Sequence, residues 1–330
     1  MHCQTQTGET HDMSMALVFP GQGSQAVGMG KALAADFAAA RAVFDAVDAA
    51  LGQRLSQLMF EGPESALTLT ANAQPALMAV SLAALRVLES EAGLDLRRDA
   101  AFAAGHSLGE YSALAATGAF TVADTARLLR LRGEAMQKAV PVGMGAMAAL
   151  LGLDYETGCS VAEEATAASG KNEICEIAND NGGGQVVASG TKKAVDQAIE
   201  IAKGKGARRA MLLSVSAPFH CALMQPAAEA MEEALANVAI DAPKIPVVAN
   251  VTARPVSDPD GIRRALVAQV TGTVRWRESV AFMAGAGVNR FLEVGAGKVL
   301  TGLLKRIAEG AAGIAIGTPA DIAAYTARAA

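Results

Sequence analysis

Gly105-His106-Ser107-Leu108-Gly109-Glu110-Tyr111 is the stretch of this 330-residue chain that decides its fold. A small apolar run, 100–104, precedes it, and an alanine-rich, helix-forming run, 112–116, follows it. This pattern predicts a buried strand, a sharp turn and a helix, with Ser107 at the tip of the turn. Because the flanking glycines let strand and helix approach closely, we expect the serine hydroxyl to be presented and not packed. The alternative is an ordinary tight turn, since Gly-x-Ser-x-Gly also arises by chance in a chain rich in Gly and Ala.

A serine nucleophile needs a base, and the chain offers four histidines. His2 and His11 lie in a polar N-terminal segment, and His106 adjoins the serine at a turn where neighbouring side chains diverge. We therefore expect His106 to be a packing residue, or a residue that supports the site without taking the serine proton. His220, in a loop after an apolar strand, is the predicted general base, with a surface histidine as the alternative.

Composition narrows the class of protein. Apolar residues make up 52% of the chain and aromatic residues only 4%, so we expect a large core built from Ala, Val, Leu and Met. The net charge of -5 gives no sign of the basic surface that a nucleic-acid-binding protein needs. The four cysteines show no CxxC spacing, which predicts a reduced, cytoplasmic protein with neither disulfide nor metal site. No signal peptide or membrane span is expected, so the chain is predicted to be soluble.

The order of strand and helix patterns predicts the domain organisation. Residues 1–14 are interpreted as a disordered stub, and 15–140 with 214–330 as a large hydrolase-like α/β domain with a parallel core sheet. Residues 141–213 follow a βαββαβ pattern, which indicates an inserted ferredoxin-like α+β subdomain. We expect the catalytic cleft at the boundary between the two.

Three motifs carry a resemblance to a known family. They are 105–111, Phe19-Pro20-Gly21-Gln22-Gly23-Ser24-Gln25 and Phe219-His220. Over about residues 15–317 the chain resembles the malonyl-CoA:acyl carrier protein transacylases of bacterial fatty acid synthesis. In the second motif, Gly-x-Gly-x-x-Ala imitates a dinucleotide fingerprint, but Gly28-Met29-Gly30 prolongs the loop where a helix would be needed. The resemblance instead implies that the main-chain N–H groups of Gln22 and Leu108 form an oxyanion hole; a plain turn is the alternative.

Arg132 is the predicted selector of the acyl group. It lies beside the apolar face of a helix that Thr121 can cap, so its guanidinium needs an anion there. Either a protein carboxylate or the ligand can supply that anion. The resemblance implies the ligand: the free carboxylate of a malonyl group.

The resemblance also implies that Gln74, Asn181 and Phe219 line the acyl pocket. As alternatives, Gln74 could be a solvent-facing residue in the first turn of a helix capped by Asn72, and Asn181 a mere turn former, with Asn179 the other candidate. No acidic residue between 107 and 220 stands out as a partner for His220. The resemblance implies that the main-chain carbonyl of Gln269 orients the imidazole, and the alternative is a routine helix residue.

The function implied is ping-pong transfer of malonyl from malonyl-CoA, through malonyl-Ser107, to the phosphopantetheine thiol of acyl carrier protein. No cofactor or metal is expected, and the chain is predicted to be a monomer. The alternatives are a serine thioesterase or esterase, a non-catalytic carrier-binding scaffold, and a malonyl transferase that supplies a polyketide synthase. A basic run could dock the acidic carrier or could be a solvated face: Lys192, Lys193, Lys203, Lys205, Arg208 and Arg209.

Overall fold

The computed structural model describes residues 14–329. The predicted disordered stub, 1–14, therefore lies outside the described residues except for Ser14. That serine is buried, and its carbonyl accepts hydrogen bonds from the N–H groups of Asn289 and Arg290. Ser14 thus belongs to the packed structure and differs in this respect from the prediction.

The described residues form two sheets. Their strands are β1 (Met15–Phe19), β2 (Phe102–Gly105), β3 (Gly145–Leu151), β4 (Cys175–Asp180), β5 (Gln185–Thr191), β6 (Arg209–Leu212), β7 (Val247–Ala249), β8 (Arg254–Val256), β9 (Arg290–Val294) and β10 (Ala312–Ile316). The helices of the first half are α1 (Lys31–Asp36), α2 (Ala38–Leu51), α3 (Leu55–Glu61), α4 (Glu64–Leu67), α5 (Thr70–Glu91), α6 (Leu96–Asp99), α7 (Leu108–Ala116) and α8 (Val122–Ala139).

The helices of the second half are α9 (Tyr155–Ser169), α10 (Lys192–Gly204), α11 (Gln225–Ala236), α12 (Pro259–Thr271), α13 (Trp276–Gly285), α14 (Val299–Leu304) and α15 (Pro319–Ala329). A short 3-10 helix, Ala222–Met224, leads into α11.

The larger sheet has the strand order β10-β9-β1-β2-β7-β8, and every pair in it is parallel except β7 with β8. All five residues of β1 are buried, as expected for a central strand that helices cover on both faces. The predicted α/β class with a parallel core sheet is confirmed. Because β1 and β2 are parallel neighbours, the loop after β1 and the turn after β2 lie at the same edge.

The smaller sheet has the order β4-β5-β3-β6 and is antiparallel throughout. Helices α9 and α10 pack on it around a separate apolar core that includes Leu150, Val161 and Val195. The βαββαβ order matches the ferredoxin-like unit predicted for this part of the chain. Main-chain hydrogen bonds from Val274 to Ala178, 2.8 Å, and from Asp180 to Val274, 3.0 Å, join the smaller sheet to the rest.

Helix α5 is the core helix of the larger part. By length and composition it could cross a membrane, which the sequence reasoning overlooked, but 83% of its apolar window is buried inside the protein. The helix begins at Thr70, so Asn72 does not cap it as predicted; the Asn72 side chain instead donates to the Ala66 carbonyl. Gln74 consequently lies beyond the first turn and is buried.

Several elements at the edges of the fold escaped prediction. Strand β8 has three residues, one of them proline, and β10 is a half-exposed run of Ala, Gly and Ile at the sheet edge. Neither shows a clear alternation of apolar and polar residues. Helix α15, at the C-terminal end of the described residues, was not predicted either.

Two glycines set the distance between β2 and α7. A Cβ on Gly105 would overlap the carbonyl of Gly109, and a Cβ on Gly109 would overlap the carbonyl of Phe19. The backbones of β2, α7 and β1 are therefore in van der Waals contact with one another. Such a close approach requires glycine, because a Cβ atom at either position would collide with the neighbouring backbone.

We expect Gly105→Ala to lower the free energy of unfolding by at least about 3 kcal/mol, because backbone atoms must move to admit the methyl group. Gly302→Ala is the matched control, since Gly302 is an exposed position of α14 with open space around it. This control should stabilise the protein by about 0.5–1 kcal/mol through helix propensity. Urea denaturation followed by circular dichroism measures both, and equal stability of the two variants would contradict the close approach.

Candidate active site

Ser107 lies at the tip of the turn between β2 and α7, in a strained backbone conformation. Its φ of 54° and ψ of -113° are values that residues with a side chain rarely adopt. Asn250, which follows β7, holds both sides of the turn. Its side-chain oxygen accepts from the Ser107 N–H at 2.8 Å, and its side-chain nitrogen donates to the Gly105 carbonyl at 2.7 Å.

The structure brings Ser107 and His220 together across 113 positions of sequence. The distance from Ser107 Oγ to His220 Nε2 is 2.7 Å, and His220 Nδ1 lies 2.8 Å from the main-chain carbonyl oxygen of Gln269. A carbonyl oxygen only accepts, so Nδ1 carries the proton and Nε2 offers its lone pair to the serine hydroxyl. The geometry is that of a general base held in the productive tautomer.

His220 is neutral at physiological pH. Burial is the main cause that lowers the pKa of this imidazole, to about 3, and the positive charge of Arg132 lowers it further. The hydrogen bond to the Gln269 carbonyl acts in the opposite direction. A neutral imidazole is the form that can accept the serine proton.

Arg132 lies behind Ser107 and is almost completely buried, with 1% of its surface exposed. Its Nη1 donates to Gln74 Oε1 at 2.8 Å, and its Nη2 donates to Gln269 Oε1 at 2.8 Å and to Ser107 Oγ at 3.2 Å. The guanidinium also faces the ring of Tyr111 at 5.7 Å.

These partners of Arg132 are all uncharged. Within residues 14–329 the guanidinium forms no ion pair with a carboxylate, and its Nε has no hydrogen-bond partner. Of the two alternatives for the predicted anion, a protein carboxylate in direct contact is absent from the described residues. A buried cation with neutral partners and an unused donor is suited to an incoming carboxylate.

The loop after β1 approaches Ser107 from the other side. Gln22 lines the cleft beside Ser107, while its side-chain oxygen accepts from Thr70 Oγ1 at 2.9 Å. Leu108 is the first residue of α7, so its N–H has no acceptor within the helix. In the described part of the chain, neither the Gln22 nor the Leu108 main-chain N–H has a hydrogen-bond acceptor. Both remain available for an oxyanion.

A cleft of about 320 Å³ opens at Ser107 between the two sheets. Its lining combines Gln22, Ser107 and His220 with residues from the smaller sheet and from the segment after it. Phe219 lines this cleft, and Gln74 lies against Arg132.

The asparagines of the Gly-rich turn differ from the prediction. Asn179, and not the favoured Asn181, lines the cleft. The side-chain oxygen of Asn181 is instead 2.9 Å from Nε2 of His106, whose ring packs on Trp276 at 5.7 Å. Residues 177–179 form a β-bulge in β4, and such an irregularity changes which side chains face the cleft. The pattern of the sequence does not reveal it.

Two residues with close contacts to the site were not predicted, Asn250 and Glu110. Asn250 follows a buried strand of the parallel sheet, and the carboxyl ends of such strands meet at one edge. Its position in the sequence could therefore have predicted that it lies near Ser107. Glu110 lies within the decisive stretch, but an acidic residue in the first turn of a helix is commonplace. Nothing in the sequence marks it as buried.

Among residues 14–329, no group of three or more His, Cys, Asp or Glu side chains could hold a metal ion. The cysteines Cys159, Cys175 and Cys221 are free thiols.

A serine at a strained strand-to-helix turn, a neutral histidine base and two free amide N–H groups are typical of enzymes that form an acyl-serine intermediate. The protein-family model described as the acyl transferase domain matches residues 16–318 of this chain. The malonyl CoA-acyl carrier protein transacylase of Escherichia coli (strain K12) is 45% identical over 309 residues, which cover 94% of this chain and 97% of that protein.

Solved structures agree in fold. The acyl-carrier-protein-S-malonyltransferase from Bartonella henselae is 55% identical, with a TM-score of 0.92 over 96% of this chain and 99% of that one. A malonyl-transacylase in complex with its holo type II PKS acyl-carrier protein is 41% identical, with a TM-score of 0.91 over 96% and 99%. This chain belongs to the malonyl CoA-acyl carrier protein transacylase family, which confirms the resemblance seen in its three motifs.

We expect the rate at which acetyl-CoA acylates Ser107 to change by less than about twofold between about pH 8 and pH 5, because His220 stays neutral over this range. A histidine with an ordinary pKa of 6.5 would give a roughly 30-fold fall. Intact-mass measurement of the acetyl-enzyme tests this, with Ser107→Ala as the unlabelled control.

The same lowered pKa makes the folded state less stable as the pH falls below about 6.5, since the unfolded chain takes up the proton first. Circular dichroism must therefore show folded protein at each pH. A fall in rate centred near pH 6.5 in folded protein would contradict the lowered pKa.

Proposed function

We propose that this chain transfers the malonyl group from malonyl-CoA to the phosphopantetheine thiol of acyl carrier protein. The transfer is ping-pong and passes through a malonyl ester on Ser107. The observation that carries the proposal is the buried Arg132 guanidinium, held by neutral partners 3.2 Å from the hydroxyl that His220 activates. A short acyl group on Ser107 that ends in a carboxylate would supply the missing anion.

In the first half-reaction His220 Nε2 takes the Ser107 proton while Oγ attacks the thioester carbonyl. The amides of Gln22 and Leu108 donate to the oxyanion of the tetrahedral intermediate. The carbon–sulfur bond then breaks, CoA leaves as the thiol after it takes the proton from His220, and malonyl-Ser107 remains. A thioester is already activated, so the proposed reaction requires neither metal nor cofactor.

In the second half-reaction the carrier thiol gives its proton to His220 and attacks the serine ester. Ser107 leaves with that proton, and malonyl is now a thioester of the carrier. Arg132 binds the acyl carboxylate in both halves, with Gln74, Phe219 and Asn179 around the acyl chain. The preference for a dicarboxylic acyl group rests on the charge of Arg132.

The proposed carrier is acidic, so we place its docking surface on the basic run of the smaller sheet. Lys192, Lys203 and Lys205 each pair with a carboxylate of the same region. In the described residues, Lys193, Arg208 and Arg209 form no ion pair and so offer the stronger attraction. We further propose that the enzyme acts as a monomer in the cytoplasm.

The pathway follows from the carrier and not from the site. The same chemistry serves fatty acid synthesis and, as in the solved complex with a type II PKS acyl-carrier protein, polyketide supply. We propose fatty acid synthesis as the pathway, in keeping with the resemblance of the three motifs.

Intact-mass analysis tests the proposed function. Malonyl-CoA should add one malonyl group to the enzyme and none to Ser107→Ala, and holo acyl carrier protein should remove it and gain the same mass. Arg208→Glu with Arg209→Glu should slow this discharge and leave loading from malonyl-CoA unchanged. Loss of malonyl to water without the carrier would indicate a thioesterase, and no adduct at all would indicate a carrier-binding scaffold.

We expect Arg132→Ala to lower kcat/KM for malonyl transfer by about 100-fold or more, because a buried charged hydrogen-bonded pair contributes about 3 kcal/mol. Acetyl transfer, which makes no such pair, should fall by less than about tenfold. Parallel assays with malonyl-CoA and acetyl-CoA measure the two losses. Equal losses would show that Arg132 only supports the structure.

A further inference from the structure

Glu110 is a buried acidic residue that the proposed mechanism does not use. We propose that Glu110 is a positioning residue: its carboxylate fixes the side-chain amide of Gln269, so that the amide oxygen holds Arg132 in place for the acyl carboxylate. This inference rests on the proposed function and adds to it a residue that sets the preference for malonyl over acetyl.

The fold buries Glu110 next to the centre of the site. It lies in the first turn of α7, three positions after Ser107, and only 1% of its surface is exposed. Its Oε2 accepts from Gln269 Nε2 at 2.8 Å and from the Asn250 main-chain N–H at 3.0 Å. No lysine or arginine of the described residues forms an ion pair with it, although the charge of Arg132 is close enough to lower its pKa.

The direction of each hydrogen bond in this network follows from chemistry. A guanidinium only donates, so the Gln269 atom that faces Arg132 must be the amide oxygen. The amide nitrogen must then find acceptors on its other side. It donates to the Glu110 carboxylate and, at 3.0 Å, to the carbonyl of Ser107.

Glu110 is the charged acceptor among those that fix which way the Gln269 amide points, and its contact of 2.8 Å is the shortest of them. Without the carboxylate the amide is held less firmly against a turn that presents its nitrogen to Arg132, where two donors would repel each other. Gln269 also orients His220, but through its main chain, which α12 holds. The Glu110 contact therefore acts on the side that binds the acyl carboxylate more than on the proton transfer.

The burial of a carboxylate in this position is costly to the protein. Burial raises the pKa of Glu110 to about 7, and the hydrogen bonds from Asn250 and Gln269 together with the charge of Arg132 work against that rise. An uncharged residue would satisfy the packing at lower cost. Both N–H donors reach the single atom Oε2, and a charged oxygen accepts hydrogen bonds about twice as strongly as a neutral one, so a carboxylate holds Gln269 more firmly than an amide would.

The test is Glu110→Gln, which keeps the shape and removes the charge. We expect the ratio of kcat/KM for malonyl-CoA to that for acetyl-CoA to fall by about tenfold or more, since a neutral amide oxygen holds the Gln269 N–H less strongly and the new NH₂ group can turn toward it as a competing donor. In an Arg132→Ala background the same substitution should leave the ratio unchanged, because the arginine through which it acts is gone.

Gln269→Met tests the same link from the other end and keeps the carbonyl that orients His220. It should lower the ratio to a similar extent, and the double variant with Glu110→Gln should be no worse than either single one. This second variant keeps the proposal testable if Glu110→Gln does not fold, which circular dichroism shows.

Equal losses for both acyl groups, or a ratio that rises, would overturn the proposal and make Glu110 a structural support for Asn250. A fall in the ratio that persists without Arg132 would also overturn it. The wild-type enzyme separates the two hypotheses: if it forms no malonyl-Ser107, the proposed function fails, whereas an unchanged ratio in an active Glu110→Gln enzyme defeats only this inference.

Discussion

The strained turn at Ser107 is the constraint on which the rest of the site depends. Positive φ at a residue with a side chain costs about 1–3 kcal/mol and persists only where the surroundings enforce it. Here the enforcing contacts are the backbone approach at Gly105 and Gly109 and the two hydrogen bonds with Asn250. Because one turn carries both the hydroxyl of Ser107 and the free N–H of Leu108, the proposed nucleophile and the proposed oxyanion donor are set by the same geometry.

A second feature is the buried guanidinium of Arg132, whose hydrogen-bond partners are all uncharged. The amide oxygens of Gln74 and Gln269 hydrogen-bond to Arg132 but carry no net charge, so no carboxylate of the described residues occupies the place of an incoming one. The two amides also tie Arg132 to distant parts of the site. Gln74 donates to Thr70, which donates to Gln22 in the loop after β1, and Gln269 holds His220 through its main chain. The proposed recognition of the acyl group and the proposed proton transfer thus share one scaffold.

The success of prediction followed the strength of the local signal. The apolar run of β1 and the spaced apolar residues of α2 and α8 mark buried faces directly, and Thr121 caps α8 as its position in the sequence suggests. Ser107 and His220 were found because the chemistry needs a base and the chain has few histidines. The prediction that Asn72 caps α5 was wrong because the helix already begins at Thr70, two positions earlier. The edge strands β8 and β10 were missed because they are short and weakly patterned.

The sequence by itself determined the α/β class, the βαββαβ unit, the serine turn and its histidine, because periodicity and rare residue types are properties of the chain. Only the tertiary structure decided which side chains meet. It placed Asn179 on the cleft in place of Asn181, left Arg132 without a direct carboxylate partner, and joined Glu110, Gln269 and Asn250 in one buried network. The physical reason is that burial and hydrogen-bond direction depend on neighbours that are distant in sequence, 159 positions for Glu110 and Gln269, about which a local pattern contains no information.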